Sequence, residues 1–294
     1  MIKKNPALKV TDLSTAVYLL FTGLLILIFP QQLAHSSIHL FFRLGVFLFM
    51  TVLIVLQHKR NSKILTFIQL FYPLVMLTYT FGETAYFNHL FFSQPFDPWL
   101  FHTDQRIFGF QPAIEFSKHL SQAWIGELLN LSYFLYYFMT VGVAFAFYIR
   151  YPELAEKVIF IIITSFYIYY LIFIFFPSEG PRYFLTAPLN QPVHSGIFSN
   201  LVQTVEHYGD YPTGAFPSSH VGVAVIYLLL TFRKLPRLFW LLFPFVILIC
   251  FATVYIKAHY AIDVLGGLIS APLIYLLSIW IYERLPIILK NTSQ

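Results

Sequence analysis

Long apolar runs separated by short polar links extend along most of this 294-residue chain. A run of about 18 or more apolar residues is long enough to cross a bilayer as a helix. The pattern predicts eight membrane-spanning helices, at residues 13–30, 38–57, 64–81, 125–148, 158–176, 218–231, 238–256 and 260–282. The expected fold is therefore all-α, a polytopic membrane helix bundle of eight spans.

Residues 83–124 interrupt this pattern with shorter apolar pieces and many aromatic residues. Their charged residues include Asp97, Asp104, Arg106, Glu115 and Lys118. Short amphipathic pieces of this kind lie in the plane of the membrane surface and do not cross it. We therefore expect interfacial helices at 83–124. The chain is expected to consist of an N-terminal three-span unit at 1–82 and a second region at 83–294, packed together as one integrated bundle.

The composition excludes an ordinary soluble protein. Hydrophobic residues make up 58% of the chain and charged residues 11%, whereas soluble domains carry about 25% charged residues. The single cysteine, Cys250, cannot form an intrachain disulfide, and its apolar surroundings favour a packing role. The net charge of +5 does not indicate nucleic-acid binding, because the positive residues are distributed as in a membrane protein.

Lysine and arginine residues concentrate on one side of the predicted bundle, as cytoplasmic loops require. With eight spans and the N-terminus inside, the cytoplasmic segments hold Lys3, Lys4, Lys9, Lys59, Arg60, Lys63, Arg150, Lys157, Arg233, Lys234, Arg237, Arg284 and Lys290, which are 13 of the 18 cations. The other side keeps Arg43, Arg106, Lys118, Arg182 and Lys257. This bias predicts that both termini are cytoplasmic. It also places the stretches GPRYF, FPSSH and KAHYAID together on the extracytoplasmic face.

The stretch Pro217-Ser218-Ser219-His220 opens the sixth predicted span. A helix N-terminus presents free backbone N–H groups and the positive end of the helix dipole, so it suits an anion. The hydroxyls of Ser218 and Ser219 add further donors. The imidazole of His220, with an ordinary pKa of about 6.5, suits the protonation of a leaving oxygen.

A second histidine lies in the stretch KAHYAIDVLGG, at 257–267. His259 and Asp263 are four residues apart, so in a helix they share a face. Asp263 can accept a proton from one imidazole nitrogen and leave the other as a nucleophile. Arg182 is a candidate for two-pronged phosphate binding, and Lys257 can supply a second positive charge. The set predicts phosphoryl transfer at a bilayer surface.

Each of these residues has an ordinary structural interpretation when it stands alone. A single interfacial histidine is usually a surface residue. Asp263 alone would make a structural hydrogen bond to a neighbouring helix, and Arg182 alone would extend to the lipid phosphates. The functional interpretation rests on the whole set falling on one predicted face. The other histidines lack such company and are expected at surfaces, with His194 and His207 as weaker candidates for substrate contact. No Cys/His/Asp/Glu cluster has metal-binding spacing, so the predicted chemistry uses neither metal nor cofactor.

These motifs resemble those of the type-2 phosphatidic acid phosphatase superfamily. Pro217-Ser218-Ser219-His220 is similar to its second motif, Pro-Ser-Gly-His. His259 and Asp263 match the end of its third motif, Ser-Arg, five residues, His, three residues, Asp. The stretch FDPWLFHTDQRIFGFQP at 96–112, with GPRYF and HYAIDVLGG, is similar to the branch of inositolphosphotransferases that includes inositol phosphorylceramide synthase. The resemblance covers residues 90–270.

The resemblance implies a role for each candidate. His259 would be the nucleophile that forms a phosphohistidine, Asp263 would orient it, and His220 would protonate the leaving group. The phosphate would be held by Ser218, Ser219 and Arg182. Region 83–294 would then be the catalytic phosphatase or phosphotransferase domain.

Two cations of the family pattern are replaced in this chain. Phe175 stands at the lysine position of the first motif, seven residues before Arg182, and Thr253 stands at the arginine position of the third motif. Ala252 stands for the serine of that motif. Lys257 is the candidate to supply one of the missing charges, although it lies outside the motif positions.

The expected function is phosphoryl or head-group transfer on a lipid phosphate substrate at the outer face of the cytoplasmic membrane. With water as acceptor the enzyme would be a lipid phosphatase, and with an alcohol such as inositol it would be a phosphotransferase; the sequence leaves both open. No obligate protein partner is expected. The alternative is a lipid- or phosphate-binding membrane protein without catalysis, or a transporter. A transporter would place ionisable residues at mid-membrane, whereas these candidates fall at span ends.

Overall fold

The computed structural model describes residues 8–31, 33, 35–191, 196–209 and 211–291, and of 286–291 it describes the backbone alone. These residues form helices without any strand, which confirms the all-α fold. Lys3, Lys4 and His194 lie outside the described residues. The helices are α1 (Val10–Ile28), α2 (Ser36–Arg60), α3 (Lys63–Phe87), α4 (Asp97–Phe108), α5 (Pro112–His119), α6 (Ala123–Arg150), α7 (Pro152–Phe175), α8 (Pro181–Phe184), α9 (Ile197–Gly209), α10 (Ser219–Lys234), α11 (Pro236–Tyr255) and α12 (Ala261–Asn291).

Within the described chain, seven helices are long and apolar enough to cross a membrane, namely α1, α2, α3, α6, α7, α11 and α12. The protein is therefore a multi-pass membrane protein. Helix α10, the sixth predicted span, has only 16 residues. At about 1.5 Å per residue it extends about 24 Å, which is less than the hydrocarbon thickness of about 30 Å. That α10 crosses the membrane stays a prediction.

The stretch 83–124 contains two short helices, α4 and α5, as its interrupted pattern predicts. Each has proline in its first turn, where the missing backbone N–H would have no helical partner anyway. Helix α4 buries Asp97, Leu100 and Asp104 on one face, while Trp99 and Ile107 are exposed. That the two helices lie in the membrane surface stays a prediction.

Residues 178–216, between the fifth and sixth predicted spans, are rich in Pro, Gly, Asn and His, which predicts a polar loop. That prediction was wrong, because this segment contains α8 and the 13-residue helix α9. Helix α9 buries Ser199, Val202 and Glu206, which recur every three or four residues on one face. The stretch IFSNLVQTV at 197–205 does carry a helical signal, since its apolar residues recur every three or four positions. The start of α9 is fixed from outside, since the Glu127 carboxylate accepts the N–H groups of Phe198 and Ser199.

The described residues divide into two compact units. One consists of Met1–Tyr79, Ala144–Tyr167 and Leu276–Gln294, and the other of Thr80–Val143 and Ile168–Tyr275. The second unit holds all the candidate site residues. The predicted division of the chain between residues 82 and 83 stays a prediction.

Candidate active site

The two motif histidines meet at one cavity. His220 lies in the first turn of α10 and His259 lies in the link between α11 and α12. Nε2 of His259 is 3.3 Å from Nδ1 of His220, and their ring centres are 5.5 Å apart. The cavity is lined by both histidines together with Tyr133, Glu179, Arg182 and Ser219. The structure thus brings together residues that are 39 positions apart in the sequence.

His259 is oriented by a backbone carbonyl and by the side chain of Asp263 in α12. Its Nδ1 lies 2.7 Å from the carbonyl oxygen of Ala215 and 3.5 Å from Oδ2 of Asp263. A carbonyl can only accept, so Nδ1 carries the hydrogen and Nε2 of the neutral ring has the lone pair. That lone pair faces His220. The Asp263 carboxylate is fully buried, and its Oδ2 also accepts the backbone N–H of Tyr260 at 2.7 Å.

Burial keeps His259 neutral. It lowers the pKa of His259 to about 4, and the positive charge of Arg182 lowers it further, while the hydrogen bond to Ala215 opposes the change. At pH 7 the ring is therefore uncharged, which is the form in which a histidine attacks phosphorus.

Two tyrosines pack against His220. The Tyr133 ring is stacked on the imidazole with centroids 4.9 Å apart, and the Tyr136 ring lies at 4.6 Å with a tilted geometry. These contacts fix the plane of the imidazole, which keeps Nδ1 directed at His259. Burial lowers the pKa of His220 well below its ordinary value of 6.5, and the charge of His259 lowers it further, so the ring is neutral at pH 7.

The two serines of the FPSSH stretch have different positions. Ser218 is the N-cap of α10: its hydroxyl oxygen accepts the Val221 N–H at 3.3 Å, and its own N–H donates to the Asp263 carbonyl at 2.9 Å. Ser218 is fully buried and is not among the residues that line the cavity. Ser219 does line the cavity. Gly267 allows α12 to approach this helix start, because a Cβ there would lie 2.6 Å from the Ser218 carbonyl oxygen.

Arg182 lines the cavity but is already engaged. Its Nη2 donates to Oε1 of Glu206 at 2.7 Å and to the Ile256 carbonyl at 2.9 Å. Its Nη1 lies 2.7 Å from Oε2 of Glu206. Its backbone N–H donates to the Lys257 carbonyl at 2.9 Å, which ties the start of α8 to the loop that carries His259. Gly180 makes that approach possible, since its φ is +96° and a Cβ there would lie 2.5 Å from the Ala258 carbonyl oxygen.

Lys257 is close to Arg182 but is directed elsewhere. Its Nζ donates to the Gln191 carbonyl, and the residue is not among those that line the cavity. Burial lowers the pKa of Lys257, and the charge of Arg182 lowers it further. The structure therefore gives Lys257 a contact with a loop carbonyl where the sequence suggested a contact with phosphate.

Two buried carboxylates of α4 hold the loops on which the site is built, and we call Asp97 and Asp104 the acidic pair. Asp97 accepts the N–H groups of Glu179 and Gly180, both at 2.8 Å, and the Tyr260 hydroxyl at 3.0 Å. Burial and the charge of Asp97 raise the pKa of Tyr260, so its hydroxyl stays a donor. Asp97 thereby fixes the loop that leads to Arg182.

The other member of the acidic pair fixes the start of α12. Asp104 accepts the N–H groups of Ala261 and Ile262, both at 2.8 Å, and is fully buried. These are N–H groups of the first helical turn, which have no partner inside the helix. Burial raises the pKa of Asp104, and the two N–H bonds counteract the increase. The residues two and three positions after His259 are thus held by a side chain from another helix.

Several of these residues were not predicted. The Ala215 carbonyl and Glu206 carry no sequence signal, because a backbone group has no residue signature and a single glutamate does not reveal a partner 24 positions away. Glu179 also lines the cavity, and burial together with the charge of Asp97 raises its pKa. The acidic pair did have a signal, since a spacing of seven residues puts both carboxylates on one face of an amphipathic helix.

Of the seven predicted site residues, Arg182, Ser219, His220 and His259 line one cavity and Asp263 lies directly behind His259. Ser218 caps α10, and Lys257 contacts Gln191. In the described part of the chain, no three His, Cys, Asp or Glu side chains gather in the way a metal ion requires.

The chain matches the family model described as "PAP2 superfamily" over residues 98–277, which is more than half of its length. A polytopic helical protein with this paired-histidine cavity and this match belongs to the PAP2 superfamily.

Over 58 residues the chain is 36% identical to the inositol phosphorylceramide synthase catalytic subunit aur1 of Schizosaccharomyces pombe. This alignment spans 20% of the chain and 14% of that relative, far less than two thirds of its length. No solved structure matches the chain. The resemblance predicted from the motifs is thereby confirmed, both for the superfamily and for the branch related to inositol phosphorylceramide synthase.

Proposed function

We propose that this protein transfers a phosphoryl or phospho-head group of a membrane lipid through a phosphohistidine on His259. The observation that carries this proposal is the unprotonated Nε2 of a buried, neutral His259, which contacts Nδ1 of His220 at 3.3 Å in the wall of a cavity that Arg182 also lines. Membership of the PAP2 superfamily supports lipid phosphatase or phosphotransferase chemistry. The partial likeness to an inositol phosphorylceramide synthase subunit favours transfer to an alcohol.

The first step forms the covalent intermediate. The substrate phosphate replaces the 3.3 Å contact between the two imidazoles, which move apart to admit it. Nε2 of His259 then attacks phosphorus while the bond from phosphorus to the leaving oxygen breaks. Burial lowers the pKa of His220 well below 6.5, so the ring takes up its second proton once the anionic phosphate lies beside it. His220 then gives the Nδ1 proton to the leaving oxygen and becomes neutral. Arg182, Ser219 and the N-terminus of α10 hold the non-bridging oxygens. The Ala215 carbonyl and Asp263 stabilise the positive charge that develops on His259.

The second step returns the enzyme to its starting state. The neutral His220 takes a proton from the acceptor hydroxyl, whose oxygen attacks phosphorus and breaks its bond to Nε2 of His259. Water as acceptor gives hydrolysis, and a polyol or another alcohol gives transfer. The residues that do the chemistry are the same in both cases, so the acceptor alone decides the product.

The proposal is tested by offering candidate lipids to the purified full chain in detergent. The panel contains phosphatidic acid, undecaprenyl pyrophosphate, and phosphatidylinositol together with ceramide. Release of phosphate indicates hydrolysis, and a new phospholipid with loss of phosphatidylinositol indicates head-group transfer. Absence of turnover with every member, in protein that remains folded, would contradict the proposed activity and favour a binding or transport protein.

The pH dependence gives a separate prediction. His259 attacks only when neutral, and its pKa of about 4 lies below the ordinary value of 6.5. The neutral form of His259 should therefore persist as the pH falls from 7 to about 5 and be lost only as it falls through about 4. Because the pKa of His220 is also lowered, its protonation should raise the rate over the same range before that loss. The measurement is the single-turnover rate on a phosphodiester lipid, whose own phosphate does not titrate in this range. An acid limb near pH 6.5 would show that His259 is solvated and that the buried geometry does not describe the active enzyme.

We further propose that both termini face the cytoplasm of a cell with an inner membrane and that the cavity opens on the other face, because of the lysine and arginine bias. An impermeant maleimide should label Gln203→Cys on α9 in intact cells, and should label Lys59→Cys at the end of α2 only after lysis. The background is Cys250→Ala. The reverse pattern would overturn this orientation.

A further inference from the structure

Glu206 is the acidic partner of the cavity's arginine. Among the described residues that line the cavity, Arg182 is the one side chain with a permanent positive charge. Both of its terminal nitrogens contact the Glu206 carboxylate at 2.7 Å, in the two-pronged geometry with which arginine binds phosphate. Glu206 thus engages donors that a phosphate would use.

The pair is largely shielded from water. The side chain of Glu206 is 8% exposed and that of Arg182 is 23% exposed. A carboxylate at this distance offsets most of the attraction that the guanidinium exerts on an incoming anion. Glu179, an acidic residue in the cavity wall, cannot attract an anion either. The cavity is therefore poor in net positive charge, although it has an arginine in its wall.

We propose that Glu206 is a positioning residue that holds the Arg182 guanidinium in place and sets a low affinity for free phosphate. This inference rests on the proposed function, in which Arg182 holds the phosphate of the lipid. A lipid brings additional apolar binding through its acyl chains, whereas inorganic phosphate does not. Glu206 therefore makes the site discriminate against free phosphate, so that a released phosphate leaves readily and recognition depends on the lipid.

The chain offers a matched control for this idea. Glu127 and Glu206 both anchor α9, because Glu127 accepts the N–H groups of Phe198 and Ser199 at its start. Of these two glutamates, Glu206 is the one with a described contact to Arg182. Weaker anchoring of α9 should therefore lower the melting temperature of both Glu127→Gln and Glu206→Gln. Loss of the negative charge beside Arg182 should change the phosphate affinity of Glu206→Gln alone.

The experiment measures binding of inorganic phosphate to the purified full chain by isothermal titration calorimetry. Glu206→Gln removes the negative charge and keeps the side-chain shape, so we expect phosphate to bind at least about tenfold more tightly than in the wild type. Glu127→Gln should leave the affinity unchanged. Glu206→Asp keeps the negative charge, so its phosphate affinity should stay at the wild-type value. Arg182→Ala should weaken binding in both backgrounds, and thermal melts establish that each variant is folded.

Unchanged or weaker phosphate binding in folded Glu206→Gln would overturn the proposal, as would equal tightening in Glu127→Gln. If Glu206→Gln does not fold, Glu206→Ala and the Asp variant decide the same question, since Ala removes the charge and Asp keeps it. The readout is binding and not turnover. If the variants bind phosphate as expected but the protein turns over no lipid, the proposed activity is refuted and the proposed role of Glu206 in phosphate affinity stands. Failure of one proposal is thus distinguishable from failure of the other.

Discussion

Replacing His259 with alanine is expected to abolish turnover, with a fall in kcat of about 10⁴-fold or more, as for other essential nucleophiles. The loss should be this large because Nε2 of His259 is the group aligned with the His220 proton, at 3.3 Å. In the described cavity wall no cysteine, lysine or second aligned imidazole could replace it. KM should change little, because Arg182 and Ser219 remain to hold the phosphate.

The matched control for this substitution is His119→Ala. His119 is exposed on α5 and contacts Glu115, so it should retain wild-type kcat. Both variants are compared by thermal unfolding to establish that the fold is intact. A folded His259→Ala variant that turns over the lipid at the wild-type rate would exclude His259 as the nucleophile.

Asp104→Asn is expected to give the second large effect. The amide has nearly the same shape, but it directs an N–H₂ group at a backbone N–H of Ala261 or Ile262, which both donate to Asp104 at 2.8 Å. A buried donor left without an acceptor costs about 1–3 kcal/mol, so the free energy of unfolding should fall by about that amount. The start of α12 should shift, and His259 with it.

The kinetic signature separates a positioning effect from simple destabilisation. A displacement of about 1 Å at a reacting group can reduce the rate about 100-fold, so kcat of folded Asp104→Asn should fall by about that factor. KM should be nearly unchanged, because the loop before Arg182 is held by Asp97. The control is Glu115→Gln, which alters a partly exposed carboxylate on α5. The Asp104→Asn variant is assayed below its melting temperature. If its kcat there equals that of the wild type, a positioning role is excluded.

The sequence could predict the parts of the site that depend on local spacing. Apolar run length predicted the helical bundle, and the four-residue separation of His259 and Asp263 predicted their contact, which the structure has at 3.5 Å. The helix start at FPSSH was also predictable, because serine before an apolar run is a typical N-cap. The structure assigns that cap to Ser218 and leaves Ser219 at the cavity.

The remaining features depend on contacts between segments far apart in the chain. Glu206 meets Arg182 across 24 positions, and Asp104 meets Ala261 across 157. A hydrophobic pattern reports burial of apolar side chains and has no means of reporting which polar groups meet. Lys257 shows the same limit, because its charge was predictable while its contact with Gln191 depends on a loop. The sequence therefore identified the proposed reacting groups better than the groups that hold them.

The central claim is a covalent phosphohistidine on His259, and trapping it is the most direct test. The full chain is mixed with the lipid of the panel that turns over, labelled with ³²P in its transferred group, and quenched within one turnover. We predict acid-labile, alkali-stable label on the peptide that contains His259, present in the wild type and absent in His259→Ala. Turnover without any labelled protein at these times, or label on a different residue, would contradict the account.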